Sequence, residues 1–156
     1  MAKLKSEITK AIADRLSIIE ALLPQLEKEV LALQETSNTR KTKTNVFDLV
    51  TEADLHSEKI ITSAIQKHFS DDAIVAEEGT NSDVQNSESF TWVIDPIDGT
   101  VNYANRLHHW GISVGVVYQN KPVGGIVSAP ALNLRYRAIQ GQGATKNGVP
   151  IKVSDK

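Results

Sequence analysis

Cysteine is absent from the 156 residues, which excludes disulfides, thiolate metal sites and a cysteine nucleophile. That absence is compatible with a reducing cytoplasm, the location expected here. A charge surplus is also lacking. Seventeen Lys and Arg stand against nineteen Asp and Glu, a net −2, so no global basic field draws the chain to nucleic acid or anionic lipid. No apolar run approaches the length that crosses a bilayer. The first fifteen residues carry a charge every few positions and are not expected to act as a secretory leader. Neither nucleic acid nor membrane is an expected partner. What is present is ordinary globular composition, 40% apolar and 23% charged, enough for a single domain or for one lobe of something larger.

Residues 4–33 are helical by period. Ile12, Leu16, Ile19, Leu23, Leu26, Val30 and Leu33 recur in steps of four and three, which makes one apolar stripe for packing against the domain's own core. Pro24 inside the stripe removes a backbone donor and crowds the preceding turn, so a kinked helix, or two helices meeting near Leu23, is expected. The polar, threonine-rich segment 35–45 reads as a loop or an exposed edge strand. Its Arg40, Lys41 and Lys43 have no aromatics between them and read as a solvated strand rather than a nucleic-acid patch. Residues 48–50 lead into a second helix over 51–69. Thr51 and Asp54 have the spacing of a capping box, and Ile60, Ile61, Ala64, Ile65 and His68 or Phe69 supply its buried face. Strands follow at 73–76, 90–94, 111–118, 123–128, 134–139 and 149–153, with a tight turn at Asn147-Gly148 and a flexible loop at 80–89. The expected class is α+β, two helical segments packed on a mainly antiparallel sheet.

The chemistry concentrates in Trp92-Val93-Ile94-Asp95-Pro96-Ile97-Asp98-Gly99-Thr100. A buried strand delivers Asp95, and Pro96 is expected to end the ladder there. On a regular strand, residues three apart face opposite sides; a turn built on Pro96 and Gly99 would let Asp95 and Asp98 converge. Converging carboxylates repel unless a cation lies between them, and hard oxygen ligands suit Mg2+. Asp98 could also cap a short helix whose first N–H groups accept a phosphate, with Gly99 permitting close approach. A dication beside an anion site suits phosphate-ester hydrolysis. An ordinary aspartate-rich turn is the competing reading of the same letters. Glu77 and Glu78, before Gly79, lie at the end of the preceding strand and must face opposite ways. His108 and His109 are adjacent, lack further ligands at suitable spacing and are read as structural.

Three segments, Asp48-Leu49-Val50-Thr51-Glu52-Ala53-Asp54, Ala76-Glu77-Glu78-Gly79 and Trp92 through Thr100 continuing into Val101-Asn102-Tyr103, resemble in order and spacing the inositol monophosphatase family. This is the Mg2+-dependent, lithium-sensitive phosphatase superfamily that includes fructose-1,6-bisphosphatase. The resemblance implies one lobe of a layered α/β/α/β/α fold. It implies metal ligation by Glu77, Asp95, Asp98 and the main-chain carbonyl of Ile97, with Asp95 bridging two ions. Thr100, paired with Asp54, would activate the attacking water, the backbone of Gly99 and Thr100 would hold phosphate oxygens, and Lys43 would sense substrate charge at the mouth of the site. A small phosphorylated substrate, most readily an inositol monophosphate, is the implied partner. Ala76 stands where many members have glycine. The likeness covers roughly the first half of a family member: neither Trp92 nor Trp110 is followed by Asp, so the Trp-Asp motif of the second lobe is not in these residues. Residues 1–156 are therefore expected to be the N-terminal metal- and phosphate-binding lobe. Self-association, or a second lobe that completes the site, is expected to accompany it. The alternative implied by the missing motif is a non-catalytic dimerisation or interaction module.

Overall fold

The structure, a computed structural model, describes residues 2–36, 40–42, 49–81 and 89–154. Lys43, Asp48 and most of the expected loop at 80–89 lie outside the described residues. Helix α1 spans Ala2–Thr36 without a break, Pro24 included, so the alternative of two helices meeting at Leu23 does not occur. Pro24 faces solvent while Leu23 and Leu26 are buried, which puts the missing hydrogen bond on the side of the helix where water can replace it. The predicted stripe is the buried one: Ile12, Leu16, Ile19, Leu23, Leu26 and Val30 are all covered, with Leu33 partly so.

Helix α2 spans Glu52–His68. Strands β1 (Arg40–Thr42) and β2 (Leu49–Thr51) form a separate antiparallel pair leading into it. The main sheet runs in the order β3 (Ala73–Ala76), β4 (Phe90–Asp98), β5 (Gly111–Tyr118), β6 (Lys121–Ala129), β7 (Leu134–Ile139), β8 (Gly143–Lys146), β9 (Val149–Ile151). Only the β3–β4 pair is parallel; each of the others is antiparallel. A five-residue helix α3, Thr100–Ala104, follows β4. The class is thus mixed α+β, with helices packed on a mostly antiparallel sheet. Strand β8 has no apolar alternation and was not legible by pattern. The last strand stops at Ile151, two residues short of the expected end.

Helices α1 and α2 cover one face of the sheet. Gly124 on β6 lets α1 come close, since a Cβ there would lie 2.7 Å from the Ile12 side chain. The α1–sheet junction is locked by a polar cluster that periodicity could not reveal. Arg15 donates to both carboxylate oxygens of Asp72 at 2.8 and 2.7 Å, and Trp92 Nε1 donates to Asp72 at 2.8 Å. The guanidinium also stacks 3.7 Å above the Phe90 ring. Paired forks of this kind are strong when dry, and the Asp72 side chain is only 5% exposed. Asp72→Ala would leave Arg15 and Trp92 without their acceptor, a loss expected to cost about 3–5 kcal/mol. Urea denaturation checks this; a change below about 0.5 kcal/mol would show the cluster to be energetically idle.

Candidate metal and phosphate site

Strand β4 does not end at Pro96, contrary to expectation. It continues to Asp98 with a register shift: Asp95 pairs with Ser113 and Asp98 with Gly111. Three steps along β4 therefore match two along β5, the signature of a β-bulge. Ser113 and Gly111, two apart, share a face of the sheet, so the residues opposite them share it too. The convergence of Asp95 and Asp98 that a turn was expected to give is produced by one extra residue in a continuing strand. Pro96, which has no N–H to leave unpaired, sits buried inside the bulge. Its carbonyl accepts a hydrogen bond from Ser57 Oγ of α2 at 3.0 Å.

Gly99 follows at φ 88°, ψ 40°, a left-handed conformation that other residues adopt at a cost. It also passes so close to the chain at 109–110 that a Cβ would stand 3.1 Å from the His109 carbonyl. Gly99, not Asp98, is the N-cap of α3, which corrects the reading of Asp98 as a helix cap and leaves its carboxylate exposed. With five residues α3 carries little macrodipole, so any anion held at its start would depend on the N–H groups themselves rather than on the helix field. His108 and His109 are exposed, and the His109 carbonyl accepts from Asn102 Nδ2 at 2.6 Å. Of His68 and Phe69, the two alternatives for the end of the buried face of α2, His68 is exposed and Phe69 packs against the core.

Glu77, just beyond β3, is brought beside Asp95 by the parallel pairing of Ala76 with Ile94, extended by a bond from the Glu77 N–H to the Ile94 carbonyl at 3.2 Å. The Asp95 carboxyl is pushed up to about 7, first by burial, then by the charge of Glu77, the hydrogen bond the two share, and Asp98. Its Oδ1 is sealed from solvent with no hydrogen-bond partner. Buried acceptors are rarely left so. Among the described residues no three carboxylates or imidazoles close tightly around one point. The group is nevertheless a set of oxygen donors with an unsatisfied buried acceptor at its centre, and that chemistry fits a hard divalent cation.

Asp54 and Thr100 come together from α2 and α3. Thr100 Oγ1 lies 3.2 Å from Asp54 Oδ1 and 3.0 Å from the Ile97 carbonyl; its single proton must serve one or the other. Asp54 Oδ2 accepts from the Thr51 N–H at 2.9 Å and from the Thr51 hydroxyl, the predicted capping interaction. Burial raises the Asp54 carboxyl, while the bonds from Thr51 and Thr100 oppose that.

A family model, described as the inositol monophosphatase family, matches residues 5–156. The chain belongs to that family. It is 41% identical over 113 residues to the Thermotoga maritima fructose-1,6-bisphosphatase/inositol-1-monophosphatase, covering 72% of this chain and 43% of that protein. The solved Thermotoga maritima IMPase superposes with a TM-score of 0.82 at 36% identity, over 91% of this chain and 54% of its own. An IMPase/NADP phosphatase solved with Mg2+ and phosphate superposes at a TM-score of 0.80 and 28% identity, over 91% and 54%. The chain thus spans about half the length of the relatives it matches. In this member of the inositol monophosphatase family, the residues near the site that sequence reasoning missed are Ser57 and Glu58, both buried on α2. A signal existed: Glu58 lies three and seven positions before Ile61 and Ile65 on the same helical stripe, an acid where the period calls for an apolar residue.

Replacing Asp95 with Asn removes one repelling carboxylate and supplies a donor toward Glu77. Without divalent ions, Asp95→Asn is expected to raise the thermal midpoint by about 2–4 °C, the response of a domain this size to about 1 kcal/mol. It is also expected to abolish any rise on adding Mg2+. Thermal scans with and without the ion check both; an unchanged Mg2+ response would remove Asp95 from the ligand set.

Proposed function

We propose that these residues are the N-terminal lobe of a Mg2+-dependent phosphomonoesterase, acting on a small phosphorylated substrate of which an inositol monophosphate is the first choice. The observation that carries this is the unpartnered, buried Asp95 Oδ1 beside Glu77 and Asp98, in a chain of the inositol monophosphatase family. Glu77, Asp95, Asp98 and the Ile97 carbonyl would hold the ion, and the backbone of Gly99 and Thr100 would hold phosphate oxygens. The chemistry a divalent ion supplies in such a site is polarisation of the phosphoryl group and stabilisation of the leaving oxygen.

The chain's own residues do the rest. Thr100 orients a water and takes one of its protons at Oγ1, passing its own proton to Asp54 Oδ1 across the 3.2 Å contact. Asp54 is held for that purpose by Thr51 at its other oxygen. The left-handed conformation of Gly99 and its lack of a side chain let β4 turn into α3 against the chain at 109–110, which sets where the Thr100 N–H and hydroxyl stand. Lys43, outside the described residues, is assigned to the mouth of the site on the motif alone. A cytoplasmic location belongs to the same reading.

A second reading has a specific observation behind it. The sheet face away from the helices carries a depression of about 300 Å3, lined by Gly115, Gly125, Val127, Tyr136, Ala138 and Ile151 among others, and Val75, Val93 and Val127 are exposed on the strands. Open apolar surface of this kind promotes association and would suit a non-catalytic interaction or dimerisation module.

Phosphate release from inositol monophosphate, measured with and without Mg2+, separates the two. Turnover that needs Mg2+ is expected, abolished by Asp98→Asn and reduced about 10²- to 10⁴-fold by Thr100→Ala, the range of a lost proton-transfer group. Turnover indifferent to Asp98→Asn would overturn the proposed site. Mg2+ uptake without turnover would favour the module.

A further inference from the structure

Three buried polar side chains of α2 stand one helical turn apart on one face: Asp54, Ser57 and Glu58, at 1%, 0% and 5% exposure. Positions i, i+3 and i+4 are neighbours on a helix. Each reaches a different segment of the site. Asp54 meets Thr100, and Ser57 holds the Pro96 carbonyl inside the bulge. Glu58 reaches the turn after β3. Its Oε2 accepts the Glu78 N–H at 2.8 Å, and its Oε1 accepts the Thr80 N–H at 3.0 Å and the Thr80 hydroxyl at 2.6 Å. The two N–H partners can only donate, and with the hydroxyl donating as well the three bonds suit an ionised carboxylate. The same turn, with Gly79 at φ 123°, is closed by the Ala76 N–H, which donates to the Thr80 carbonyl at 3.1 Å and to Asn81 Oδ1 at 3.3 Å, and by the bridge from Val75 to Asn81. Glu77 is exposed; its main chain is tied to β4 by the bond to the Ile94 carbonyl at 3.2 Å, and its carboxylate shares a hydrogen bond with Asp95.

We propose that Glu58 is a positioning residue: its carboxylate clamps the backbone on the far side of Glu77 and thereby sets the separation of the Glu77 and Asp95 carboxylates, with Ser57 fixing the Asp95 side of the same gap. This rests on the metal-site reading above. Burying a carboxylate is costly unless its bonds are complete, so a site on α2 filled by an acid among Ile61 and Ile65 is explained by what the acid holds. The clamp touches neither substrate nor ion; it acts through Glu77.

The test is calorimetric titration of the chain with Mg2+ alone, for the unsubstituted protein, Glu58→Gln, Thr80→Val and the remote control Ile65→Val. Glu58→Gln keeps the shape but turns one acceptor into a donor facing an N–H. Mg2+ affinity is expected to fall at least about tenfold in Glu58→Gln, the usual scale for loss of an outer support. A smaller, few-fold loss is expected in Thr80→Val, with none in Ile65→Val. The Glu78 and Thr80 amide proton resonances, shifted downfield by a charged acceptor, are expected to move upfield in Glu58→Gln. If Glu58→Gln does not fold, Thr80→Val carries the test by itself. Affinity undiminished in both variants, or lost equally in Ile65→Val, would overturn the clamp. No Mg2+ uptake by the unsubstituted chain would instead overturn the metal-site reading beneath it.

Discussion

One extra residue in β4 governs the acidic site. Side chains on a strand alternate, so Asp95 and Asp98 can share a face only if the pairing slips by one between them. It does, between Ser113 and Gly111. The bulge needs a residue whose missing N–H is no loss and a partner for the carbonyl it turns out of the ladder. Pro96 meets the first need and Ser57 the second. Two carboxylates are thereby forced together, and the parallel β3–β4 pairing adds Glu77 to them. The resulting repulsion is local, while the parallel pair, the antiparallel β4–β5 ladder and the Trp92–Asp72–Arg15 cluster hold the strand from both sides.

Helix α2 divides its buried face by purpose. Its first two turns present Asp54, Ser57 and Glu58 to the ends of β3 and β4, and its later turns present Ile61 and Ile65 to the core. The apolar half anchors the helix; the polar half transmits that rigidity to segments that have little of their own. A site made of strand ends and a five-residue helix is exact only if something stiff lies behind it.

Much of this was legible in the letters. The α1 stripe and the positions of most strands follow from period, and the pairing of Thr51 with Asp54 from spacing, because each is a local pattern. The bulge was not legible. Proline followed two residues later by aspartate and glycine announces a change of direction, and both a turn and a bulge satisfy it; the choice is made by β5, whose register no local pattern reveals. Glu58 was missed for the opposite reason: its signal was a single violation of the apolar period, and single charged residues on helices are ordinarily solvated. Strand β8, in Gly143–Lys146, has no alternation to read, being held as the middle strand between β7 and β9. Family resemblance supplied the roles proposed for Thr100 and Gly99, which residue types alone left open.

The placement of α1 has a consequence for how the chain is made. Its stripe is completed by α2 and by β6, the latter more than a hundred positions later, where Gly124 receives Ile12 and Leu16. A ribosome adding about 5–20 residues per second exposes that greasy ridge for several seconds before its seat exists. The strands from β4 to β9, by contrast, pair each with the next and can zip up as they emerge. Helix α1, made well before β6, is therefore among the last of these elements to be covered, and the interval between is when the nascent chain has most need of a chaperone.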